Sequence, residues 1–215
     1  MSCRYRFIVL DGVEGAGKST QIARLAEALR GAGEDVLVTI EPGGTPIGGA
    51  VRELLLSPSY PEMTPLTEVF LFCASRAQHV EQVIRPALED GRVVLCDRFS
   101  AATFAYQGYA GAVGEELVVA LDDAATGGLV PDMTIILDLP PEEGLRRKFG
   151  KHTRTGANGD RIERNEPAFH RRVREGFRRY AERYPDRTRI VDASRDENEV
   201  FAEIRRLLGL GEEAG

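Results

Sequence analysis

Short apolar runs rich in β-branched residues alternate along the chain with longer stretches whose apolar positions recur at helical spacing. Phe7–Leu10, Val36–Val38, Val93–Cys96, Thr134–Leu137 and Thr188–Val191 read as buried strands. Helical patterns are expected near 18–31, 65–89, 114–126, 141–149, 167–184 and 197–208. In the longest of these, Leu66, Phe70, Cys73, Ala77, Val80, Ile84 and Ala87 step by four and three, which predicts a stripe facing the core. Strand–helix alternation of this kind predicts an α/β fold. The expectation is a three-layer, doubly wound sheet of five parallel strands within one domain over residues 1–215. One stretch, Gly150–Asp160, is polar and Gly-containing, and predicts a mobile loop between two helices.

Composition narrows the class. A chain of 215 residues can bury a sizeable core, and 42% hydrophobic with 29% charged residues excludes a disordered tail or a collagen-like fibre. No apolar run approaches the roughly 20 residues needed to span a bilayer, and Met1–Leu10 lacks the cleavage pattern of a signal peptide. Cys3, Cys73 and Cys96 are odd in number and far apart, so neither a disulfide framework nor a zinc site is indicated. A reduced, cytoplasmic protein with no membrane attachment is the expectation. The net charge of −6 argues against general nucleic-acid binding, but the charge is unevenly spread. Arg146–Arg189 holds 15 Lys and Arg against 6 Asp and Glu, a local balance of +9 that leaves −15 on the rest. Such a block fits either a local anionic ligand or a solvated helix face.

The first strand runs into Gly12-Val13-Glu14-Gly15-Ala16-Gly17-Lys18-Ser19, with Thr20 opening a helix. This is the G-x-x-x-x-G-K-[ST] pattern in its required strand–turn–helix context. Its glycines let successive backbone N–H groups point inward and cradle phosphates at a helix N-terminus. Lys18 would reach the β- and γ-phosphates and the Ser19 hydroxyl would ligate Mg²⁺. A nucleoside triphosphate is the expected ligand, held in a P-loop NTPase fold. A GTPase would need a guanine-reading N-K-x-D segment, which the sequence lacks, and a motor ATPase would usually need a larger chain. A small-molecule kinase needs a second anion site beside the first.

Several segments offer one. Cys96-Asp97-Arg98-Phe99 ends the third strand, where open α/β sheets bind ligands. Asp97 can hold Mg²⁺ directly or through water, and Arg98 can bridge donor and acceptor phosphates; a structural ion pair is the plainer reading. Glu41-Pro42-Gly43-Gly44-Thr45 forms a tight turn before a helix carrying Arg52, either a phosphate reader or a surface arginine. Phe72 and Arg76 lie four residues apart on one helix face beside the core stripe. An aromatic plane with a guanidinium fork can read a base, although core packing also accounts for Phe72.

Taken in order, G-x-E-G-x-G-K-S-T, E-P-G-G-T, F-x-x-x-R, D-R-F and A-Y-Q-G resemble bacterial thymidylate kinase, a nucleoside monophosphate kinase family, from Phe7 to about Leu208. The resemblance implies ATP-dependent phosphorylation of dTMP to dTDP with Mg²⁺ at Ser19 and Asp97. It implies that Gly12–Thr20 binds ATP, with the Asp192-Ala193-Ser194 loop along adenine. Phe72 would stack on thymine and Arg76 would bond its O4 edge. Arg52 and Arg98 would hold the acceptor phosphate, and Glu14 and Glu41 would lie near the metal and the acceptor sugar. Thr103 and Gln107 would complete the base pocket, and Tyr106 against C2′ would favour deoxyribonucleotides. A lid over ATP is implied at about 146–164. With no arginine among Glu14, Gly15 and Ala16, the lid should supply a cation, expected from Arg154 or Arg161, with Arg146 and Arg147 fixed near the preceding helix. A homodimer packed through helices such as 65–89 is implied as well. Ile40 stands where the family commonly has arginine, and Ala102 where serine is frequent. Two other readings stay open on the sequence: a deoxynucleoside kinase using Glu41 or Asp97 as base, and a non-catalytic ATP-binding sensor.

Overall fold

The computed structural model describes residues 3–150 and 159–211. β1 (Phe7–Gly12) is buried along its whole length, as an apolar strand must be when helices cover both sheet faces. β2 (Val36–Ile40), β3 (Val93–Asp97), β4 (Met133–Asp138) and β5 (Thr188–Asp192) join it in the order β2-β3-β1-β4-β5. Every pairing is parallel, and Leu10 stands beside both Asp97 and Ile135. The expected five-stranded parallel sheet is therefore present. Apolar residues are exposed at its edges: Val38 and Ile40 on β2 and Ile190 on β5 are about two-fifths exposed, because an edge strand has a neighbour on one side only.

Successive residues of β1 face opposite layers, as the two-residue repeat of a strand requires. Ile8 and Leu10 pack with Leu25 and Leu29 of α1 (Lys18–Gly31), Phe177 of α8 (Pro167–Arg183) and Ile204 of α9 (Glu197–Leu207). Phe7 and Val9 pack instead with Val80, Ile84 and Ala87. These three lie where α3 (Pro65–His79) runs through a π-helical turn, Val80–Ile84, into α4 (Arg85–Glu89). The remaining helices are α2 (Pro46–Leu56), α5 (Ser100–Thr103) with a π-helical continuation Phe104–Tyr109, α6 (Glu115–Thr126) and α7 (Pro141–Phe149).

The stripe expected on the longest helix is half right. Cys73, Val80, Ile84 and Ala87 are buried, whereas Leu66 is 42% and Phe70 52% exposed, and Ala77 is exposed too. The buried face of α3 carries Val69 and Cys73 together with Ser75, Arg76 and His79. Polar residues recruited into the interior hide from hydrophobic periodicity, and the π-helical turn breaks the 3.6-residue phase. Residues 100–109, for which no helix is expected from the pattern, are helical as well. Residues 151–158, with Lys151 and Arg154, lie outside the described residues, as does the greater part of the expected mobile loop.

Candidate active site

Glycine is obligatory at two points of the loop between β1 and α1. A Cβ on Gly12 would lie 2.4 Å from the Leu137 carbonyl oxygen, and one on Gly15 only 2.1 Å from that of Gly144. Lys18 opens α1 and is folded inward, its Nζ donating to the carbonyls of Gly12 at 3.1 Å and Val13 at 2.9 Å. Burial, and then the nearby Arg98 guanidinium, lower its pKa despite the surrounding carboxylates. Next to it, the Ser19 hydroxyl donates to Asp97 Oδ2 at 2.9 Å, joining the start of α1 to the end of β3.

Arg98 follows Asp97 with φ 70°, in the left-handed region that costs a non-glycine residue energy and recurs at functional sites. Its Nη1 donates to the Gly12 carbonyl at 3.0 Å and to Asp11 at 3.2 Å, while Nη2 pairs with Glu14. Asp11 is fully buried; burial raises its pKa, opposed by Arg98 and Lys18. Glu14 behaves differently. Burial pushes its carboxyl up, but Arg98, Lys18 and Lys148 together outweigh this and hold it below the usual carboxylate range.

A cleft of about 480 Å³ opens at the carboxyl ends of β1, β2 and β3. It is lined by Glu14, Gly15 and residues 17–20 of the loop, by Asp97 and Arg98, and by Arg52, Phe72, Tyr106 and Gln107. That size and position suit a small-molecule site in an open α/β sheet. Tyr106 sits against Arg98, whose guanidinium carbon is 5.3 Å from the ring centroid. Arg52 donates to the Pro42 carbonyl at 3.0 Å, and Gln107 Nε2 to Glu68 Oε1 at 2.6 Å. Ile40 and Ala102, the two departures from the family pattern, both line this cleft.

Beneath Glu41, which also lines the cleft, runs a buried polar network. Arg76 is 2% exposed; its Nε donates to Glu41 Oε2 at 2.7 Å, its Nη2 to Thr103 Oγ1 at 3.0 Å, and its Nη1 pairs with Asp122. His79 links the other Glu41 oxygen, at 2.9 Å, to the Thr39 hydroxyl, at 2.6 Å. Arg76 and Thr103 thus support the cleft from behind and do not line it.

On the lid side the expected residues part company. Arg161 does not line the cleft. Its backbone N–H donates to Leu56, its Nε to the Leu55 carbonyl at 2.9 Å, and its Nη2 pairs with Glu68. Arg147 and Lys148 line the cleft instead, Arg147 donating to the carbonyl of Ala193 at 3.0 Å. Much of the basic block is balanced locally: Arg174 and Arg178 meet Asp138, Arg183 meets Glu116, and Arg171 meets Glu142. On α8 the solvated-face reading holds. Sequence reasoning passed over Asp11, Asp122, His79 and Lys148 as site residues. Asp11 adjoins the glycine motif and Lys148 stands in the basic block, but Asp122 and His79 carry no local signal.

The sequence model of the thymidylate kinase family matches residues 10–204. A thymidylate kinase of Nitratidesulfovibrio vulgaris is 48% identical over 202 residues, covering 93% of this chain and 94% of that protein. One of Deinococcus radiodurans is 50% identical over 198 residues, covering 92% and 93%. Among solved structures, the thymidylate kinase of Ehrlichia chaffeensis superposes with a TM-score of 0.74 at 32% identity, covering 94% of this chain and 97% of that one. With the glycine loop, the Asp97–Arg98 pair and the cleft between them in place, this chain belongs to the thymidylate kinase family.

Proposed function

We propose that this chain, a single P-loop kinase domain over 1–215, transfers the γ-phosphoryl group of ATP to dTMP, giving ADP and dTDP. The observation that carries the reading is the single cleft lined both by the phosphate-binding loop and by Phe72, Arg52 and Gln107. The bond that forms joins a dTMP phosphate oxygen to the γ-phosphorus, and the β,γ-bridging P–O bond breaks. The acceptor phosphate is already ionised at neutral pH, so no general base is needed and catalysis is positioning plus neutralisation of charge.

Gly12–Thr20 cradles the triphosphate, with Lys18 exchanging its carbonyl partners for phosphate oxygens and Ala193 bordering adenine. Arg52 and Arg98 hold the acceptor phosphate, and Phe72 stacks on the base. Arg76 and Thr103 brace the base pocket from behind, with Gln107 in its wall. For Arg76 to reach the O4 edge, as the sequence expectation has it, the guanidinium would have to release part of its hold on Glu41, Thr103 or Asp122. Glu14 and Glu41 lie near the metal and the acceptor sugar, and Tyr106 closes against C2′. The Ser19 hydroxyl and the Asp97 carboxylate, 2.9 Å apart, are hard oxygen donors of the kind Mg²⁺ accepts while keeping several waters. A Mg²⁺ ion held there would help neutralise the charge of the transferring phosphates. Segment 146–164 supplies a further cation, for which the sequence expectation names Arg154 and Arg161. Arg161 would have to leave Glu68 and the Leu55 carbonyl to serve.

The exposed Leu66, Phe70 and Ala77 share one face of α3, which supports a homodimer packed there. Three buried free thiols accord with the reducing cytoplasm. Among the described residues no helix is long and apolar enough to cross a membrane. The test is ADP release from ATP·Mg²⁺ with dTMP and thymidine offered separately. Release with dTMP alone supports the reading; release with thymidine alone would favour a deoxynucleoside kinase, and ATP binding without release a sensor. Asp97→Asn should raise the Mg²⁺ concentration needed for half-maximal rate.

A further inference from the structure

Two glycines lock α7 onto the phosphate-binding loop. A Cβ on Gly144 would lie 2.0 Å from the Glu14 carbonyl oxygen, and one on Gly15 2.1 Å from the Gly144 carbonyl oxygen. Backbone meets backbone there, so the helix has no freedom to tilt away without opening the contact. Lys148 is four residues past Gly144, on the same helix face. Its Nζ accordingly stands over the loop, 3.0 Å from Glu14 Oε2 and paired also with Glu163. The other Glu14 oxygen is held by Arg98. Lys18, Arg98 and Lys148 therefore converge on one carboxylate at the edge of the cleft that all three line. Burial would lower the Lys148 pKa, but Glu14 and Glu163 outweigh it and raise the value, so the ammonium is charged at neutral pH.

On the thymidylate kinase reading given above, we propose that Lys148 is a catalytic residue, a fixed cation from α7 whose ammonium contacts phosphoryl oxygens of ATP as the γ-phosphoryl group moves. Glu14 and Glu163 hold that ammonium in place before the phosphates arrive. Among the described residues, the other cations of segment 146–164 are engaged elsewhere: Arg147 with Ala193, Arg146 with Glu143, Arg161 with Glu68 on the acceptor side, and Arg164 with the Gly159 carbonyl. In the transfer, the electron pair of the β,γ-bridging bond leaves on the ADP β-phosphate. Lys148 donates hydrogen bonds to the oxygens that gain charge and gives up no proton.

The test compares Lys148→Met and Lys148→Arg by steady-state kinetics and ligand binding. Isolated transition-state cations are worth about 10³–10⁵ in kcat. Lys148→Met should lose at least ~10² of kcat, less than that range because Lys18 and Arg98 remain. The KM for dTMP should stay within about threefold, and Lys148→Arg should recover most of the rate. The planar mimic formed by ADP, aluminium fluoride and dTMP should bind Lys148→Met more weakly by a factor comparable to the kcat loss, while ADP alone binds nearly as before. A purely structural lysine would weaken both ligands together and lower the melting temperature. Should Lys148→Met not fold, Lys148→Gln and Lys148→Arg carry the same comparison. A kcat within threefold of wild type, or equal loss of mimic and ADP, overturns the assignment. Absence of dTMP-dependent ADP release from the wild-type protein would instead overturn the kinase reading itself.

Discussion

Glu41 is where the acceptor pocket and the stability of the fold meet, and Glu41→Gln separates them. The substitution keeps the shape but removes a charge that is 3% exposed and bonded to Arg76 at 2.7 Å and His79 at 2.9 Å. Stripping one partner from a buried ion pair leaves an uncompensated charge and costs about 3–5 kcal/mol. Asp122 still pairs with Arg76 from a 14% exposed position, which places the expected loss near the lower limit, about 3 kcal/mol. Against a total stability of about 5–15 kcal/mol that is a large fraction. For a chain of this size it corresponds to a fall in Tm of about 6–12 °C. The chain has no tryptophan, so urea unfolding is best followed by circular dichroism. The pair can be isolated by repeating the substitution in an Arg76→Met background. There Glu41→Gln should cost far less, because the stranded cation is gone. A loss below about 0.5 kcal/mol in the wild-type background, or equal losses in both, would refute the view of this network as a tightly coupled support.

Three further outcomes follow from the geometry. Tyr106→Ala should admit ribonucleotides while Tyr106→Phe keeps the preference for deoxy substrates; kcat/KM for UMP and dUMP decides, and no relaxation in the alanine variant removes the steric argument. Arg161→Ala should raise the KM for dTMP, since it releases Glu68, the partner of Gln107; a kcat fall of ~10² with KM unchanged would instead assign it to the phosphates. Glu14 has its folded pKa below its unfolded one, so its contribution is full above about pH 5 and drains as pH falls through and below about 4. Glu14→Gln should therefore flatten the acid limb of stability in urea titrations; unchanged slopes would contradict the pairing.

The parts of this molecule visible in its sequence are those encoded by short-range pattern. Five apolar runs became five parallel strands, and Gly12–Ser19 announced its loop because steric demands on Gly12 and Gly15 leave no other residue. Cys96-Asp97-Arg98 was legible for the same reason, lying where a strand ends. The buried face of α3 was not. Arg76, His79 and Ser75 are interior only because Thr39, Glu41 and the Gly43 N–H, from the end of β2 and the turn after it, and Asp122 of α6 arrive to satisfy them, and no local rule announces such partners. Lys148 illustrates the same limit: its place over the loop depends on a Gly15–Gly144 contact between residues more than a hundred positions apart.

The central claim is that one cleft brings ATP and a thymidine monophosphate together for direct transfer. Product analysis of ATP·Mg²⁺ incubated with dTMP, dUMP, dCMP, dAMP and dGMP tests it most directly. The account predicts dTDP with stoichiometric ADP, and no diphosphate from dCMP, dAMP or dGMP. Equal turnover across all five, or ADP formed without any deoxynucleoside diphosphate, would contradict it.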